Sequence, residues 1–238
     1  MKQLHIITPV KDAIDTAQDT IRAVVSSDIS VPHTYTVYDD FSTPENALLL
    51  SQAAYLMNFN LVHLDELTDH PSPNYLLVLQ EAQRKALEAD AGLCIVESDV
   101  TVSSDTLQRL YDEALARPDC GIAAAVTVDE AGKINYPYLY AKGRENQVID
   151  NRKHQSFCCS LLTPELLRRC DFTQLNPGKD WFDVTISHES LSCGLKNYLF
   201  TNLPVIHRPH QSRPWKQLKY KNPLKYYWQK FTRGKDKI

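Results

Sequence analysis

The 238-residue sequence is poor in glycine and contains no long apolar run. Its 7 glycines, 43% hydrophobic residues and 23% charged residues exclude collagen-like, low-complexity and intrinsically disordered proteins. Its longest apolar runs, such as 120–128, are far shorter than the roughly 18 residues of a membrane-spanning helix. The apolar start of the chain reaches Pro9, Lys11 and Asp12 too early for a signal peptide. We therefore expect a cytoplasmic protein, with peripheral contact at the inner face of the cytoplasmic membrane left open.

The cysteines lack the spacing of a zinc site. The sequence has no Cys-x-x-Cys pair and no histidine at the distance typical of a zinc finger. Cysteines without such a pattern are ordinarily buried thiols in a reducing compartment. We expect this for Cys94, Cys120, Cys158, Cys159, Cys170 and Cys193.

Charge is distributed unevenly along the chain. Residues 208–238 carry ten Lys or Arg and one acid, a net charge of +9, which leaves −12 on residues 1–207 given −3 overall. Aromatic residues lie between these basic ones, a mixture suited to anionic lipid headgroups or nucleic acid. A membrane surface and an ordinary surface helix or partner contact both stay open. We expect no nucleic acid partner, because the acidic body would repel a phosphate backbone.

Hydrophobic periodicity predicts strands that alternate with helices. The predicted strands cover residues 4–8, 35–38, 59–64, 92–96, 121–128, 156–162 and 197–206. Helices are predicted between them, including one capped by Ser42 or Thr43, with a capping box from Ser42 to Glu45 as an option, and one capped by Ser103 or Ser104. This alternation predicts an α/β fold with a parallel sheet and helices on both faces.

Polar clusters follow three of the predicted strands. They are Thr8-Pro9, Asp39-Asp40 and Glu97-Ser98-Asp99. Because ligands bind beyond the carboxyl ends of parallel strands, we expect the clusters to converge on one crevice. The two acids of the last cluster can share a divalent cation that faces a ligand phosphate, with ordinary loop acidity as the alternative. The Asp pair either serves a ligand or supports a turn or a helix N-terminus.

Three segments carry a resemblance to a known family. They are Ile-Ile-Thr-Pro-Val at 6–10, Tyr-Thr-Val-Tyr-Asp-Asp-Phe-Ser-Thr at 35–43 and Cys-Ile-Val-Glu-Ser-Asp at 94–99. Together they resemble the nucleotide-binding half of family 2 glycosyltransferases with the GT-A fold, of the bacterial, non-processive type. The likeness extends over residues 4–207. It implies an α/β fold of the GT-A (Rossmann-like) type, with a mixed, mostly parallel sheet and helices on both faces. The single GT-A domain would cover 1–207, with a nucleotide-binding half at 1–128 and an acceptor half at 129–207, followed by a basic, aromatic tail at 208–238.

The resemblance implies roles for the polar clusters. Thr8, Pro9 and Asp39 would surround the nucleotide base, with Asp40 in support. The family's DxD motif maps onto residues 97–99, which makes Asp99 a ligand of Mg²⁺ or Mn²⁺. Glu97 would lie near the ribose or the metal, and Ser98 would also belong to the nucleotide-binding residues.

The second half of the chain carries matching features. An acidic residue in the helix predicted over 180–193 would be the base that deprotonates the acceptor hydroxyl. Asp183 and Asp180 are both candidates, and the spacing to Gly194 favours Asp183. His207, after the last predicted strand, would help to hold the metal or the diphosphate, with an ordinary surface or capping role as the alternative.

The sequence departs from the family pattern at three positions. Phe41 replaces the usual Gly after the Asp pair, Glu97 replaces the first Asp of DxD, and Phe182 stands where a Glu commonly precedes the catalytic Asp. No carboxylate that the mechanism needs is lost.

The expected activity is a metal-dependent, inverting transfer of one sugar in polysaccharide biosynthesis. The donor would be a nucleotide-sugar, with UDP favoured over GDP, and the acceptor a glycan or lipid-linked hydroxyl. A processive synthase is disfavoured, because residues 211–215 read Gln-Ser-Arg-Pro-Trp in place of Gln-x-x-Arg-Trp. Two alternatives stay open: a catalytically silent nucleotide-binding or assembly module, and a sugar nucleotidyltransferase. The absence of glycine from residues 8–16 argues against the second.

Overall fold

Strands and helices alternate as the sequence predicts in the computed structural model, which describes residues 1–179, 181–209 and 222–233. The strands are β1 (Gln3–Val10), β2 (His33–Asp39), β3 (Asn60–His63), β4 (Ala91–Val96), β5 (Val100–Thr101), β6 (Cys120–Val128), β7 (Val148–Asp150), β8 (Cys159–Leu162) and β9 (Lys196–His207). The α-helices are α1 (Ile14–Val25), α2 (Pro44–Met57), α3 (Tyr75–Glu88), α4 (Thr106–Leu115), α5 (Pro164–Arg169), α6 (Phe182–Ser192) and α7 (Pro223–Arg233).

The strands form one mixed sheet in the order β3-β2-β1-β4-β8-β6-β9-β5, and β7 pairs with β9. Strands β1, β2, β3 and β4 are mutually parallel, and β9 is parallel to β6. Strand β8 is antiparallel to both of its neighbours, β4 and β6. The parallel strands on the two sides of β8 therefore run in the same direction, and their carboxyl ends share one edge. The predicted α/β fold with a mixed, mostly parallel sheet is confirmed.

Helices cover both faces of the sheet. Successive residues of β4 alternate between two apolar clusters, with Cys94 and Val96 in one and Leu93 and Ile95 in the other. The first cluster includes buried residues of α1, α2 and α4, and the second includes those of α3, α5 and α6. Each fully buried Leu or Ile contributes about 1.5–3 kcal/mol to stability. A strand that is buried on both faces reads as a continuous apolar run, which is the pattern of β4.

For α2, the Thr of the predicted Ser-or-Thr cap is confirmed, whereas the predicted cap of α4 is wrong. The N-cap of α2 is Thr43, whose side chain accepts a hydrogen bond from the backbone N–H of Asn46 at 3.4 Å. The hydroxyl of Ser42 instead accepts from the backbone N–H of Asp12, which ties the loop after β1 to the loop after β2. The N-cap of α4 is Asp105, because the chain makes one more turn after Ser103 before the helix begins.

The cysteines are free thiols, as expected, but one of them is not buried. Cys193 is partly exposed and is the C-cap of α6, just before the chain turns into β9. Gly194 follows with a φ of 77°, a left-handed conformation that glycine adopts without a Cβ clash.

Most of the described part of the basic tail is the helix α7. Its Tyr226 is buried, whereas Leu224, Tyr227, Trp228 and Phe231 are exposed. These four residues follow the spacing i, i+3, i+4 and i+7, so they share one side of the helix. None of the described helices is both long enough and apolar enough to span a bilayer.

Candidate active site

The polar clusters predicted from the sequence lie at one edge of the sheet. Val10 at the end of β1 pairs with Asp39 at the end of β2, and Ile7 of β1 pairs with Ile95 of β4. If the pairing of β1 with β4 is extended past Ile95, the residues that follow β4 lie opposite the end of β1, and Asp39 lies on the other side of that same end. Strand β1 alone separates them, so the distance across the sheet is about 10 Å. Asp39 and the segment that carries Asp99 therefore lie at the same edge of the sheet.

Strand β9 brings His207 to the same edge. Its last residue, His207, pairs with Val100, which directly follows Asp99. The backbone N–H of Arg208 also donates to the carbonyl of Asp99 at 2.9 Å. His207 Nε2 lies 3.6 Å from Asp99 Oδ1. Residues more than 100 positions apart in the chain thus meet because β5 and β9 pair.

The residue just before β8, Cys158, adds a third side chain to this edge of the sheet. Because Cys159 pairs with Val96 in antiparallel register, Cys158 lies beside Glu97, whose backbone N–H donates to the carbonyl of Cys158 at 2.9 Å. The thiol of Cys158 lies 3.5 Å from Glu97 Oε2 and 3.8 Å from His207 Nε2. Among the described residues, Glu97, Cys158 and His207 form the one group of potential ligands whose donor atoms all lie within 4.8 Å of one another.

The hydrogen bonds of His207 orient its ring for binding a cation. Nδ1 lies 2.7 Å from the carbonyl oxygen of Tyr136, and a carbonyl can only accept, so Nδ1 carries the proton and donates it. The other nitrogen, Nε2, faces Asp99 and Cys158 and is the one that can accept a bond to a cation. A histidine that is fixed in this way through its other nitrogen is typical of metal ligands.

The electrostatics of this group also suit a divalent cation. Burial raises the pKa of the Cys158 thiol well above its usual value, and the negative charges of Glu97 and Asp99 raise it further. The negatively charged carboxylates of Glu97 and Asp99 therefore both lie close to the buried thiol, beside the imidazole of His207. A divalent cation would offset their mutual repulsion. The donors present, carboxylate oxygen, imidazole nitrogen and sulfur, fit such an ion.

The residues expected at the nucleotide base are bound to other parts of the chain. Asp39 is buried, and it accepts hydrogen bonds from the backbone N–H of Ser42 at 3.1 Å and from His63 Nδ1 at 2.8 Å. The hydroxyl of Thr8 is buried and accepts from the hydroxyl of Tyr35 at 2.9 Å. Pro9 and Ser98 are half-buried at the same edge.

Asp40 supports the loop before α3. Its carboxylate accepts from the hydroxyl of Ser72 at 2.7 Å, from the backbone N–H of Asn74 at 3.0 Å and from the Asn74 side chain at 2.8 Å. These three hydrogen bonds satisfy a buried carboxylate and fix the segment that leads into α3. They agree with a supporting role for Asp40.

Asp183 lies in the first turn of α6, where the helix N-terminus stabilises negative charge. Ser187, four residues later on the same side of the helix, accepts from the backbone N–H of Gln155 at 2.9 Å. Gln155 is three residues before Cys158, so this contact holds the helix face of Asp183 against the segment that supplies the thiol. Tyr138 is close enough to both Cys158 and Asp183 for their charges to raise its pKa, after the larger effect of burial. Asp180 lies outside the described residues.

Two residues at this edge were not identified from the sequence. Nothing near Cys158 in the sequence marks it as a metal ligand, because Glu97 and His207 are 61 and 49 residues away from it. His63 ends a short predicted strand, and only the parallel pairing of β3 with β2 brings it opposite Asp39.

Comparisons with known proteins agree with this arrangement of strands. The mannosyltransferase PcManGT from Pyrobaculum calidifontis, solved with GDP-Man and Mn²⁺, matches 97% of this chain and 64% of its own, with 13% identity and a TM-score of 0.64. GalNAc-T7, solved with UDP, GalNAc and Mn²⁺, matches 87% of this chain and 44% of its own, with 12% identity and a TM-score of 0.65. S. aureus TarS 1-349 matches 92% of this chain and 64% of its own, with 14% identity and a TM-score of 0.62.

The likeness to these structures shows that the chain has the GT-A fold. The chain spans between 44% and 64% of their lengths. No family model and no curated protein matches the chain.

Proposed function

We propose that the chain transfers a single sugar from a nucleotide-sugar donor to an acceptor hydroxyl, in a metal-dependent reaction that inverts the anomeric configuration. The observation that carries the proposal is the meeting of Asp99, His207 and Glu97 at the carboxyl edge of a GT-A sheet, beside the end of β2. The edge opposite to this one has the amino ends of the parallel strands and offers no such position for a nucleotide.

The diphosphate end of the donor belongs at Asp99 and His207. These two residues hold Mg²⁺ or Mn²⁺, and Glu97 lies beside them near the ribose or the metal. When bound, the cation supplies positive charge against the departing diphosphate. Mn²⁺ in the structures of PcManGT and GalNAc-T7 supports this assignment.

The base end of the donor belongs beyond β1 and β2, where Thr8, Pro9, Asp39 and Ser98 lie. Asp40 contributes by fixing the loop that closes this side. We propose a UDP-linked donor in preference to a GDP-linked one. Both kinds of nucleotide occur among the similar structures, with UDP in GalNAc-T7 and GDP-Man in PcManGT.

The acceptor hydroxyl loses its proton to an aspartate of the segment 180–183. Asp183 is the preferred base, because α6 holds it against the segment that leads to Cys158, and Asp180 is the competing residue. Attack by an external hydroxyl in one displacement inverts the anomeric carbon. The carboxylate must be ionised to accept the proton, which the first turn of a helix favours.

The acceptor is a glycan or a lipid-linked hydroxyl, and α7 contacts the membrane surface peripherally. The helix combines an exposed stripe of Leu224, Tyr227, Trp228 and Phe231 with the net charge of +9 on residues 208–238. Exposed aromatic residues beside lysines suit the interface of an anionic bilayer.

The test combines nucleotide binding with transfer. UDP at about 100 times its dissociation constant stabilises the protein by about 2.7 kcal/mol, and we expect this only with Mn²⁺ or Mg²⁺ present. Asp99→Asn should abolish the metal-dependent shift and the hydrolysis of nucleotide-sugars, whereas Asp183→Asn should keep the shift and lose transfer. Asp19→Asn, an exposed acid on α1, is the matched control. Equal metal-dependent nucleotide affinity in the protein and in Asp99→Asn would contradict the metal role, and no stabilisation by any nucleotide would favour a silent module.

A further inference from the structure

We infer that Cys158 ligates the divalent cation through Sγ, together with Glu97 and His207, so that the site prefers Zn²⁺ or Co²⁺ over Mg²⁺. This inference deepens the proposed function, in which Asp99 and His207 alone were assigned to the metal. It starts from the position of a buried thiol between a carboxylate and an imidazole.

The distances between the donor atoms suit a small ion in tetrahedral coordination. An ion with bonds of about 2.3 Å to sulfur and about 2.0–2.2 Å to nitrogen and oxygen keeps neighbouring donors about 3.3–3.6 Å apart. Sγ of Cys158 lies 3.5 Å from Glu97 Oε2 and 3.8 Å from His207 Nε2. Both separations are within a few tenths of an ångström of that geometry. The donor atoms of Glu97 and His207 lie within 4.8 Å of each other, so closure on one ion draws this third pair together.

The backbone holds the three donors in place from different elements. Cys158 is fixed next to Glu97 by the hydrogen bond between their backbones, and His207 is fixed through Nδ1 by the carbonyl of Tyr136. The hydroxyl of Ser156 lies 3.2 Å from Sγ and orients the thiol from the other side. Donors that are already oriented lose little conformational entropy when the ion binds.

Sulfur determines which cations the site accepts. Mg²⁺ requires near-octahedral oxygen coordination and gains little from a thiolate, whereas Zn²⁺ and Co²⁺ bind sulfur, nitrogen and oxygen together. As the bond from the metal to sulfur forms, the proton on Sγ leaves to solvent and the thiolate donates its electron pair. The expected order of affinity is Zn²⁺ over Co²⁺ over Mn²⁺ over Mg²⁺.

The test uses Co²⁺ as a spectroscopic probe of the full chain after treatment with a chelator. A thiolate bound to Co²⁺ gives a charge-transfer band in the near ultraviolet. We expect this band in the unchanged protein, its loss in Cys158→Ser and its retention in Cys193→Ser, which removes the most exposed cysteine. One equivalent of Zn²⁺ should abolish the band, and a large excess of Mg²⁺ should leave it.

A second variant covers the case in which Cys158→Ser fails to fold, as judged by far-ultraviolet circular dichroism. His207→Gln should then weaken Co²⁺ binding by about tenfold or more while the protein stays folded. The absence of the band from the unchanged protein, or its survival in folded Cys158→Ser, would overturn the inference.

The two proposals fail separately. A band that depends on Cys158 in a protein that transfers no sugar would support the thiolate ligand and remove the glycosyltransferase activity. Transfer that depends on Mn²⁺ in a protein with no such band would support the activity and remove the thiolate ligand.

Discussion

His63 Nδ1 donates a hydrogen bond to Asp39 Oδ2 at 2.8 Å and so joins the carboxyl ends of β3 and β2. Asp39 is 3% exposed, and the second oxygen of its carboxylate accepts from the backbone N–H of Ser42. Both oxygens of a buried carboxylate are therefore satisfied within the chain. His63 is half-buried, so it also separates Asp39 from solvent on the side of α2.

We predict that His63→Leu lowers the free energy of unfolding by about 1–3 kcal/mol, because it leaves one oxygen of buried Asp39 without its donor. His63→Asn should cost less, since the amide nitrogen of Asn can take the position of Nδ1. Urea denaturation of the two variants measures the difference. Equal losses in both variants would mean that the packing of the ring, and not its hydrogen bond, is what stabilises the protein.

The backbone at Phe41 leads to a second prediction. Phe41 has a φ of 59°, in the left-handed region where any residue with a Cβ is strained by about 1 kcal/mol or more. We predict that Phe41→Gly is more stable than Phe41→Ala by about 1 kcal/mol, because both variants lose the ring but only Gly relieves the strain.

The control for Phe41 is the same pair of substitutions at Leu48, an exposed position inside α2. There Ala should be more stable than Gly by about 0.5–1 kcal/mol, the usual order in a helix. Thermal or urea unfolding of the four variants checks both signs. If the Ala variant were more stable than the Gly variant at both positions, the proposed strain at Phe41 would be contradicted.

The sequence predicts the order of strands and helices well, because each element carries its own signal. The apolar residues of α1 recur at helical spacing, and β4 and β6 are continuous buried runs. The left-handed backbone at Phe41, with a φ of 59°, carried no such signal, because the residue type there is not one that favours this conformation.

The sequence does not predict contacts that depend on how distant strands pair. The insertion of β8 between β4 and β6 in antiparallel register places Cys158 beside Glu97, and nothing local to residue 158 shows this. The pairing of β3 with β2 likewise provides His63 as the partner of Asp39. In both cases the sequence shows the type of residue, but which residues it contacts depends on how distant strands pair.

Buried His5 predicts a loss of stability in mild acid. Burial, with a smaller effect of the positive charge on Lys85, lowers the pKa of His5 from 6.5 to about 4. Protonation is therefore harder in the folded protein than in the unfolded chain. The contribution is complete above pH about 6.5 and is lost as the pH falls through about 4, a total of about 3 kcal/mol.

We predict that His5→Asn removes this dependence, because Asn does not titrate. Between pH 6 and 4, the slope of the unfolding free energy against pH should be smaller in the variant by up to about 1.4 kcal/mol per pH unit. Exposed His33, replaced by Asn, is the control that should leave the slope unchanged. Urea denaturation at several pH values gives the slopes. Parallel curves for His5→Asn and the unchanged protein would show that His5 is not the group that titrates.

The exposed stripe on α7 predicts binding to anionic membranes. Phe231 is 91% exposed on a helix with Lys225 and Lys230 nearby, whereas Tyr55 on α2 is 88% exposed with no comparable basic segment. We predict that the full chain floats with vesicles that contain phosphatidylserine, less at high salt, and that Phe231→Ala weakens binding by about tenfold, the effect of one aromatic side chain leaving the interface. Tyr55→Ala should bind as the unchanged protein does. Both substitutions remove an almost equally exposed ring, so equal losses of binding would assign the binding to general surface hydrophobicity. If the full chain does not float with the vesicles, the predicted membrane contact is wrong.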